Sequence, residues 1–318
     1  MVEGAELPPE EEAVDGEGTY YGGQWLYWES RNCFGGKRER LANLSISKRH
    51  KDKRPPLQTP NIQTVSADLR DEKQCDALIK NVQPTLMLHL AWSLEDHNFL
   101  HSDKNIQWLE ISLCLLRAFK KYGGMRFIFS GSSAEYGYDQ LICSENGQAV
   151  PSDLYGTCKL AFTNLGEAFC TANNIQFTCI RYFSVYGPGE SHLLHAIPVA
   201  IDTLLRGERF VCRAPNNVWD YVYITDVAEA TVRVMRSNFC GVVNVGGTPI
   251  PMGELFAILA GLTGGKGVLV VENKSRPGQR LVADTSVLKE KIGFSSQMDI
   301  RQGLTNTVQW WKNEFKNK

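Results

Sequence analysis

Met125-Arg-Phe-Ile-Phe-Ser-Gly-Ser-Ser-Ala-Glu-Tyr-Gly137, followed downstream by Tyr155-Gly-Thr-Cys-Lys159, decides how this chain reads. The apolar run from Met125 to Phe129 is a strand that ends in small hydroxyl residues. Tyr155 and Lys159 are four apart, so a helix places both on one face. A tyrosine left to itself titrates near about 10, too high for proton transfer at neutral pH. A lysine cation one turn away favours the phenolate and lowers that value. A serine hydroxyl nearby can hydrogen-bond the same substrate oxygen. Together such groups move a proton on or off an alcohol or carbonyl. The Tyr/Lys spacing alone is common on solvated helix faces, and its weight comes from what surrounds it.

Working outward, the chain alternates strand and helix. Leu44–Ser47 reads as the end of a short strand, and Val65–Asp71 leads into a helix over 71–81. Thr85–Leu90 reads as a buried strand. A helix over 105–121 carries Ile106, Leu109, Leu113 and Leu116 on one side. The Met125 strand, a loop to Pro151, the Tyr155 helix and a Phe177–Ile180 strand follow. This alternation predicts a parallel sheet covered on both faces. After Pro188 the pattern breaks into a helix over 196–205, short strands and turns. The tail is an amphipathic helix whose Trp310 and Trp311 are expected in the core.

The bulk numbers narrow the function classes. With 43% apolar and 22% charged residues and a net charge of −1, no overall field favours nucleic acid or a membrane surface. No apolar run approaches a membrane span. The acidic Glu10, Glu11 and Glu12 are unlike a signal or transit peptide. Nine scattered cysteines without a C-x-x-C pair fit free thiols in a reducing cytoplasm, with neither a disulfide framework nor a metal site. Cys158 reads as a small helix residue, not a nucleophile.

Four further stretches accompany the opening one: Arg181-Tyr-Phe-Ser-Val-Tyr-Gly-Pro-Gly189, Asp220-Tyr-Val-Tyr-Ile-Thr-Asp226, Arg276-Pro-Gly and Ala283-Asp284-Thr-Ser. In this order the chain, from about Leu44 to Trp311, resembles the extended short-chain dehydrogenase/reductases, the NAD-dependent epimerase/dehydratase family acting on nucleotide sugars. The resemblance implies an α/β fold, a doubly wound Rossmann-type parallel sheet with a smaller C-terminal substrate lobe. It divides the chain into an aberrant segment 1–43, a dinucleotide-binding core 44–187 and a mainly substrate-binding lobe 188–318 with elements returning to the core. It implies a homodimer pairing two helices from each subunit, one of them the Tyr155 helix.

A Rossmann domain opens with a strand and a glycine-rich turn that brings backbone against the cofactor pyrophosphate at a helix N-terminus. The N-terminal stretch Gly18-Thr-Tyr-Tyr-Gly-Gly-Gln-Trp-Leu-Tyr-Trp28 shows neither. Shifting its codons by one nucleotide changes this. Trp25 before a leucine codon becomes glycine, Trp28 before a glutamate codon becomes glycine, and the frame permits V-L-I-T-G-G-S-G-F-I-G. The motif glycines then fall at Gly22, Trp25 and Trp28. We read residues 14–43 as a frameshifted first βα unit, with a divergent N-terminal extension as the alternative.

The resemblance also assigns roles. Ser132, Tyr155 and Lys159 are the catalytic candidates: Tyr155 the acid/base, Lys159 its electrostatic partner and nicotinamide-ribose ligand, Ser132 the group that orients the reacting oxygen. Cofactor-binding candidates are Arg49, Asp68, Leu69, Leu90 and Ala91, with Tyr155 and Lys159. Asp68 also fits a helix cap ahead of Asp71. The basic Ser47-Lys48-Arg49 turn favours NADP over NAD, because a 2′-phosphate needs a cation. Asn105 matches a residue that fixes helix geometry. Ser133, Ser184 and Arg276 are substrate-side candidates, and Arg213 is a candidate replacement for an arginine that relatives carry where this chain has Trp219. Ser133-Ala134 stand where dehydratases carry Asp-Glu, against water elimination. Glu135, His89 and Asp226 read as structural, and His192 and His195 as surface histidines in a substrate loop. The expected activity is NAD(P)-dependent chemistry at position 4 of a nucleotide-activated hexose: a 4-ketoreductase, alternatively a 4-epimerase, or in another class a non-catalytic Rossmann protein.

Overall fold

The computed structural model describes residues 24–30, 41–46, 65, 67–94, 98–138, 140–190, 195–265, 269–271 and 278–316. Within them the order is β1 (Gln24–Ser30), β2 (Leu41–Ile46), α1 (Glu72–Val82), β3 (Pro84–His89), α2 (Lys104–Lys121) and β4 (Arg126–Ser132). A 3-10 turn (Ser133–Tyr136), α3 (Leu154–Ala172), β5 (Gln176–Tyr182), β6 (Ser184–Tyr186), α4 (Ala196–Leu205), β7 (Phe210–Cys212), β8 (Val218–Tyr223) and α5 (Ile224–Arg236) follow. The chain closes with β9 (Gly241–Val245), β10 (Thr248–Pro251), α6 (Met252–Thr263), β11 (Leu269–Val271), β12 (Arg280–Leu281), α7 (Ser286–Ile292) and α8 (Ile300–Lys316).

A six-stranded sheet in the order β2-β1-β3-β4-β5-β9 forms the centre. The block from β3 to β9 is parallel, with Leu86 opposite Arg126, Phe127 opposite Phe177 and Ile180 opposite Val243. This is the Rossmann-like α/β arrangement. Residues 24–30, which the sequence gave no reason to call a strand, do form one, and it runs antiparallel to both β2 and β3. The physical reason lies in the connection. Residues 31–40 are enough for an antiparallel return, whereas a parallel pair needs a crossover of a dozen or more. The β1 slot is therefore filled by a strand of reversed direction.

Alternating side chains of the parallel strands feed two cores. Met87, Phe127, Phe129, Phe177 and Cys179 face α1, α2 and α3. Leu86, Leu88, Ile128, Ile180 and Val243 face α5 and α7. Helices on both faces follow from this alternation. On α2 the fully buried stripe is Asn105, Trp108, Ile111, Ser112, Leu115, Leu116 and Phe119. Of the expected Ile106, Leu109, Leu113 and Leu116, Leu116 is buried and Leu109 and Leu113 are half-buried against the same core, while Ile106 is 48% exposed. The indole of Trp108 and the phenyl of Phe119 outweigh the smaller Ile106 in choosing which side is buried.

Arg126 opens β4 and is buried without an acid. Its guanidinium donates to the carbonyls of Val234 (3.1 Å) and Phe239 (3.0 Å) and to Gln176 Oε1 (3.0 Å). It thereby ties the end of α5 and the start of β5 to β4, a cation satisfying helix-terminal carbonyls. The lobe has its own core, built from α4, α6, α8, β7, β8 and β10, and includes Trp311 with Trp310 packed beside it. Its sheet orders β10-β8-β12, and β6 pairs with β8 directly after the main sheet ends. Asp226 on α5 accepts hydrogen bonds from Ser296 Oγ, Gln297 N and Met298 N and so holds the approach to α8.

Candidate active site

Ser132 is the last residue of β4, opposite Tyr182 on β5. It caps the following 3-10 turn. Its Oγ accepts from Ala134 N (3.2 Å), and its own N–H donates to Glu135 Oε1 (2.9 Å). This reciprocal pair is a capping box. Asp153 caps α3 through Gly156 N (2.7 Å), which fixes the first turn, where Tyr155 sits. The Tyr155 amide donates to the Leu100 carbonyl (2.9 Å). Gly156 lets the helix lie against the serine turn, because a Cβ there would stand 2.3 Å from the Ala134 carbonyl oxygen. Serine, tyrosine and lysine thus arrive from two elements held at backbone contact.

The Tyr155 and Ser132 side chains line the same cavity. Burial pushes the phenol well above its ordinary range, and the Ser132 side chain only partly offsets this. Lys159 is 2% exposed, and its Nζ donates to the Ser130 carbonyl at 2.7 Å. The ammonium lies 4.2 Å from the Trp92 ring centre and 4.7 Å from that of Phe129, distances at which ring faces attract a cation. Burial lowers it to about 7, with the Glu135 carboxylate acting in the opposite direction. The resting pair differs from the sequence expectation of a tyrosine drawn down by its lysine. Both groups share one dry wall, where desolvation disfavours each charged form. Tyr155 rests as a neutral phenol beside a lysine half-charged near neutrality.

Ser132, Ser133, Ala134 and Tyr155 line a cavity of about 660 Å³, together with Leu90, Trp92, Phe99, Tyr138, Ser184, Glu190, His195, Trp219 and Tyr221. The structure thus brings Ser132, Ser133, Tyr155, Ser184 and Leu90 to one space. Lys159 stands just behind it. Ala91 and Leu69 are buried in the sheet core, at 1% and 2% exposure. Asp68 lies elsewhere, in an ion pair with Arg70 (2.6 Å). The side chain that caps α1 is that of Asp71, not Asp68. Arg213 is exposed and outside the lining. Arg49, Arg276 and His192 lie outside the described residues.

Other readings gain detail. Cys158 is a buried helix residue of the main core. His89 is fully buried, its Nε2 paired with Ser112 Oγ at 2.8 Å. Burial and the neighbouring Lys159 charge press it to about 3, so the ring is neutral. Asn105 accepts from Trp92 Nε1 (2.9 Å) and donates to the carbonyls of Phe99 (2.6 Å) and Ser102 (2.9 Å). It thereby fixes the turn that presents Phe99 to Tyr155, ring centres 5.4 Å apart. Sequence reasoning overlooked Phe99, Tyr138 and Glu190. No spacing announces them, because each reaches the cavity from a loop. His195 is a surface residue, its side chain 38% exposed, and also a wall residue of the cavity paired with Glu190. Among the described lining residues these two are the only ionisable acid and base apart from the tyrosines.

The family model described as "NAD dependent epimerase/dehydratase family" matches residues 36–246. A UDP-glucose 4-epimerase of Rhizobium leguminosarum bv. trifolii is 25% identical over 268 residues, covering 76% of this chain and 82% of its own. The solved UDP-N-acetylglucosamine 4-epimerase of Methanobrevibacter ruminantium M1, in complex with UDP-N-acetylmuramic acid, is 26% identical with a TM-score of 0.71 over 81% of this chain and 85% of that one. A Thermus thermophilus UDP-glucose 4-epimerase complex with NAD shares the fold, at 23% identity and a TM-score of 0.70 over 80% and 86% of the two chains.

Proposed function

This chain belongs to the NAD-dependent epimerase/dehydratase family, and from that premise we propose that it is a nucleotide-sugar 4-epimerase using NAD. The observation that carries the reading is that Ser132 and Tyr155 face one cavity of about 660 Å³ with buried Lys159 one helical turn behind Tyr155. That volume suits an activated sugar. The relatives named above are 4-epimerases, which favours this reading over the 4-ketoreductase that the sequence stretches suggested. The NAD complex among the structural neighbours supports NAD in place of NADP.

The nicotinamide end of the site fits such a cofactor. Lys159 has three donors, and Ser130 takes one, leaving reach for a ribose hydroxyl. Leu90 lies on the cavity wall beside it. The pyrophosphate end is different. β1 gives an antiparallel strand where a glycine turn is expected. When bound, NAD supplies the acceptor and donor of the C4 hydride.

The chain's own residues move the proton. Tyr155 acts as its phenolate, formed by loss of the phenol proton and stabilised by a protonated Lys159. It takes the proton from the sugar 4-hydroxyl and so becomes the phenol, while Ser132 holds that oxygen in line. Returning the proton from the same tyrosine needs no second acid. Where dehydratases carry their acid pair, this chain has Ser133 and Ala134 on the cavity wall, while Glu135 is 0% exposed and paired with Arg181 at 2.9 Å. This disfavours dehydration. Inversion requires the ring to present its other face, for which the small Ser132, Ser133, Ala134 and Ser184 leave room. The same reading includes a homodimer through α2 and α3, whose Ile106 and Leu165 are 48% and 50% exposed.

The test incubates the full chain with NAD and UDP-glucose or UDP-N-acetylglucosamine and follows the sugar by proton NMR. Inversion at C4 without net NADH is expected. Net consumption of NADPH with a 4-keto sugar, and no inversion, would return the reading to a reductase.

A further inference from the structure

Glu135 sits where the three elements that carry the site meet. Its Oε1 accepts the Ser132 amide at 2.9 Å, and its Oε2 accepts Arg181 Nε from β5 at 2.9 Å. Thr163 Oγ1, one turn beyond Lys159 on α3, lies 3.1 Å from Glu135 Oε2 and 3.1 Å from the Lys159 carbonyl. The carboxylate is wholly buried. Gly131 makes the space for it, since a Cβ there would stand 2.6 Å from Glu135 Oε1 and 2.5 Å from Cys179 Sγ. A buried ion pair is a poor source of net stability, so its seat between the serine and the lysine helix calls for another account.

We propose that Glu135 is a positioning residue for proton transfer: through Ser132 N and Thr163 its carboxylate locks the serine turn against the Tyr155–Lys159 helix and sets its charge beside the turn that carries Lys159. The charged and titratable groups around Lys159 leave it this partner. From β3 comes His89, neutral in its buried site. From β5 come Cys179, a thiol held neutral by burial, and Arg181, already bonded to Glu135. From its own helix comes Tyr155, a neutral phenol. Trp92 and Phe129 offer only ring faces. Burial alone drives Lys159 towards its neutral form, and Glu135 is the first opposing influence. A neutral Lys159 could not stabilise the Tyr155 phenolate, so the inference rests on the epimerase reading for its kinetic consequence only.

The experiment follows the Lys159 side chain directly, by NMR of the full chain carrying 13C at the lysine Cε, the signal being identified by its loss in K159M. In the native chain Lys159 is expected to titrate near 7. In E135Q the midpoint is expected at least one pH unit lower, so that at pH 7 the charged fraction drops from about one half to below about one tenth. The turnover number at pH 7 then falls by about fivefold or more and its basic limb moves to lower pH, with KM little changed. Because E135Q strands the Arg181 charge, E135Q/R181M, which removes both charges, is titrated alongside and should show a displacement in the same direction but smaller, since loss of the Arg181 cation favours the charged lysine. An unmoved Lys159 midpoint in a folded variant overturns the proposal, whatever the turnover does. Failure of both variants to fold would also overturn it, assigning Glu135 to folding alone. A displaced midpoint with no epimerisation in the native chain would sink the epimerase reading and leave the electrostatic role standing.

Discussion

Replacing Lys159 with methionine should make the folded chain more resistant to denaturant at low pH while abolishing turnover. The lysine titrates at about 7 against an ordinary 10.5. At about 1.4 kcal/mol per pH unit this is a charging cost on the order of 5 kcal/mol. The sign follows from proton counting. Between these values the unfolded chain binds a proton that the folded chain does not, so native stability rises with pH across the window. The cost is full below pH 7, and about 3 kcal/mol of it is relieved between pH 6 and 9. Methionine never charges. It loses the bond to the Ser130 carbonyl, a penalty of about 1–3 kcal/mol that does not change with pH. The variant's stability relative to the parent should therefore be most favourable at pH 6 and less so by about 3 kcal/mol at pH 9. Urea unfolding followed by tryptophan fluorescence at pH 6, 7.5 and 9 reads this difference, and titrations common to both chains cancel. A difference that is flat with pH, or that grows with it, would refute the reasoning.

Three other outcomes are expected. Y155F should retain the fold and lower turnover by about 10²–10⁴-fold, the usual contribution of a positioned acid/base; near-normal turnover would remove Tyr155 from the chemistry. G156A places a Cβ 2.3 Å from the Ala134 carbonyl, and overpacking there should cost about 1–3 kcal/mol while separating Tyr155 from Ser132. A G156A chain with unchanged melting and turnover would show that contact to be slack. Restoring the shifted reading frame over residues 14–43 should raise NADH affinity in a fluorescence titration, because glycines replace Trp25 and Trp28 and complete the pyrophosphate turn begun at Gly22. Tight binding by the chain as written, with peptide coverage across Trp25 and Trp28, would count against the frameshift.

The parallel half of the sheet was legible because each strand is an apolar run closed by small or polar residues, and because α3 and β5 carry their motifs at fixed offsets. Tyr155 and Lys159 could be paired from their four-residue spacing, a local property, and Ser132 joined them through the family resemblance. The rest depended on distant parts of the chain. The buried side of α2 was set by Trp108 meeting Trp92 and Phe119 meeting Phe127, contacts that no window of sequence contains. His195 became a cavity residue only through Glu190 and Phe99. The charge states of Tyr155 and Lys159 turned on Trp92, Phe129 and Glu135, whose approach the spacing of the motif does not encode. The reversed β1 came from a segment whose composition matches neither a Rossmann strand nor a glycine turn.

Arg126 sets an order of events during synthesis. Its acceptors on Val234 and Phe239 lie 108 and 113 residues further along the chain. At about 5–20 residues per second, Phe239 is made roughly 6–23 s after Arg126. Until then the guanidinium at the foot of β4 has no buried acceptors from α5 and favours water. The strand that delivers Ser132 therefore cannot be sealed into the sheet while the nascent chain is shorter than about three-quarters of its length. Ribosome-bound chains halted before and after Phe239 should differ sharply in protease resistance at β4.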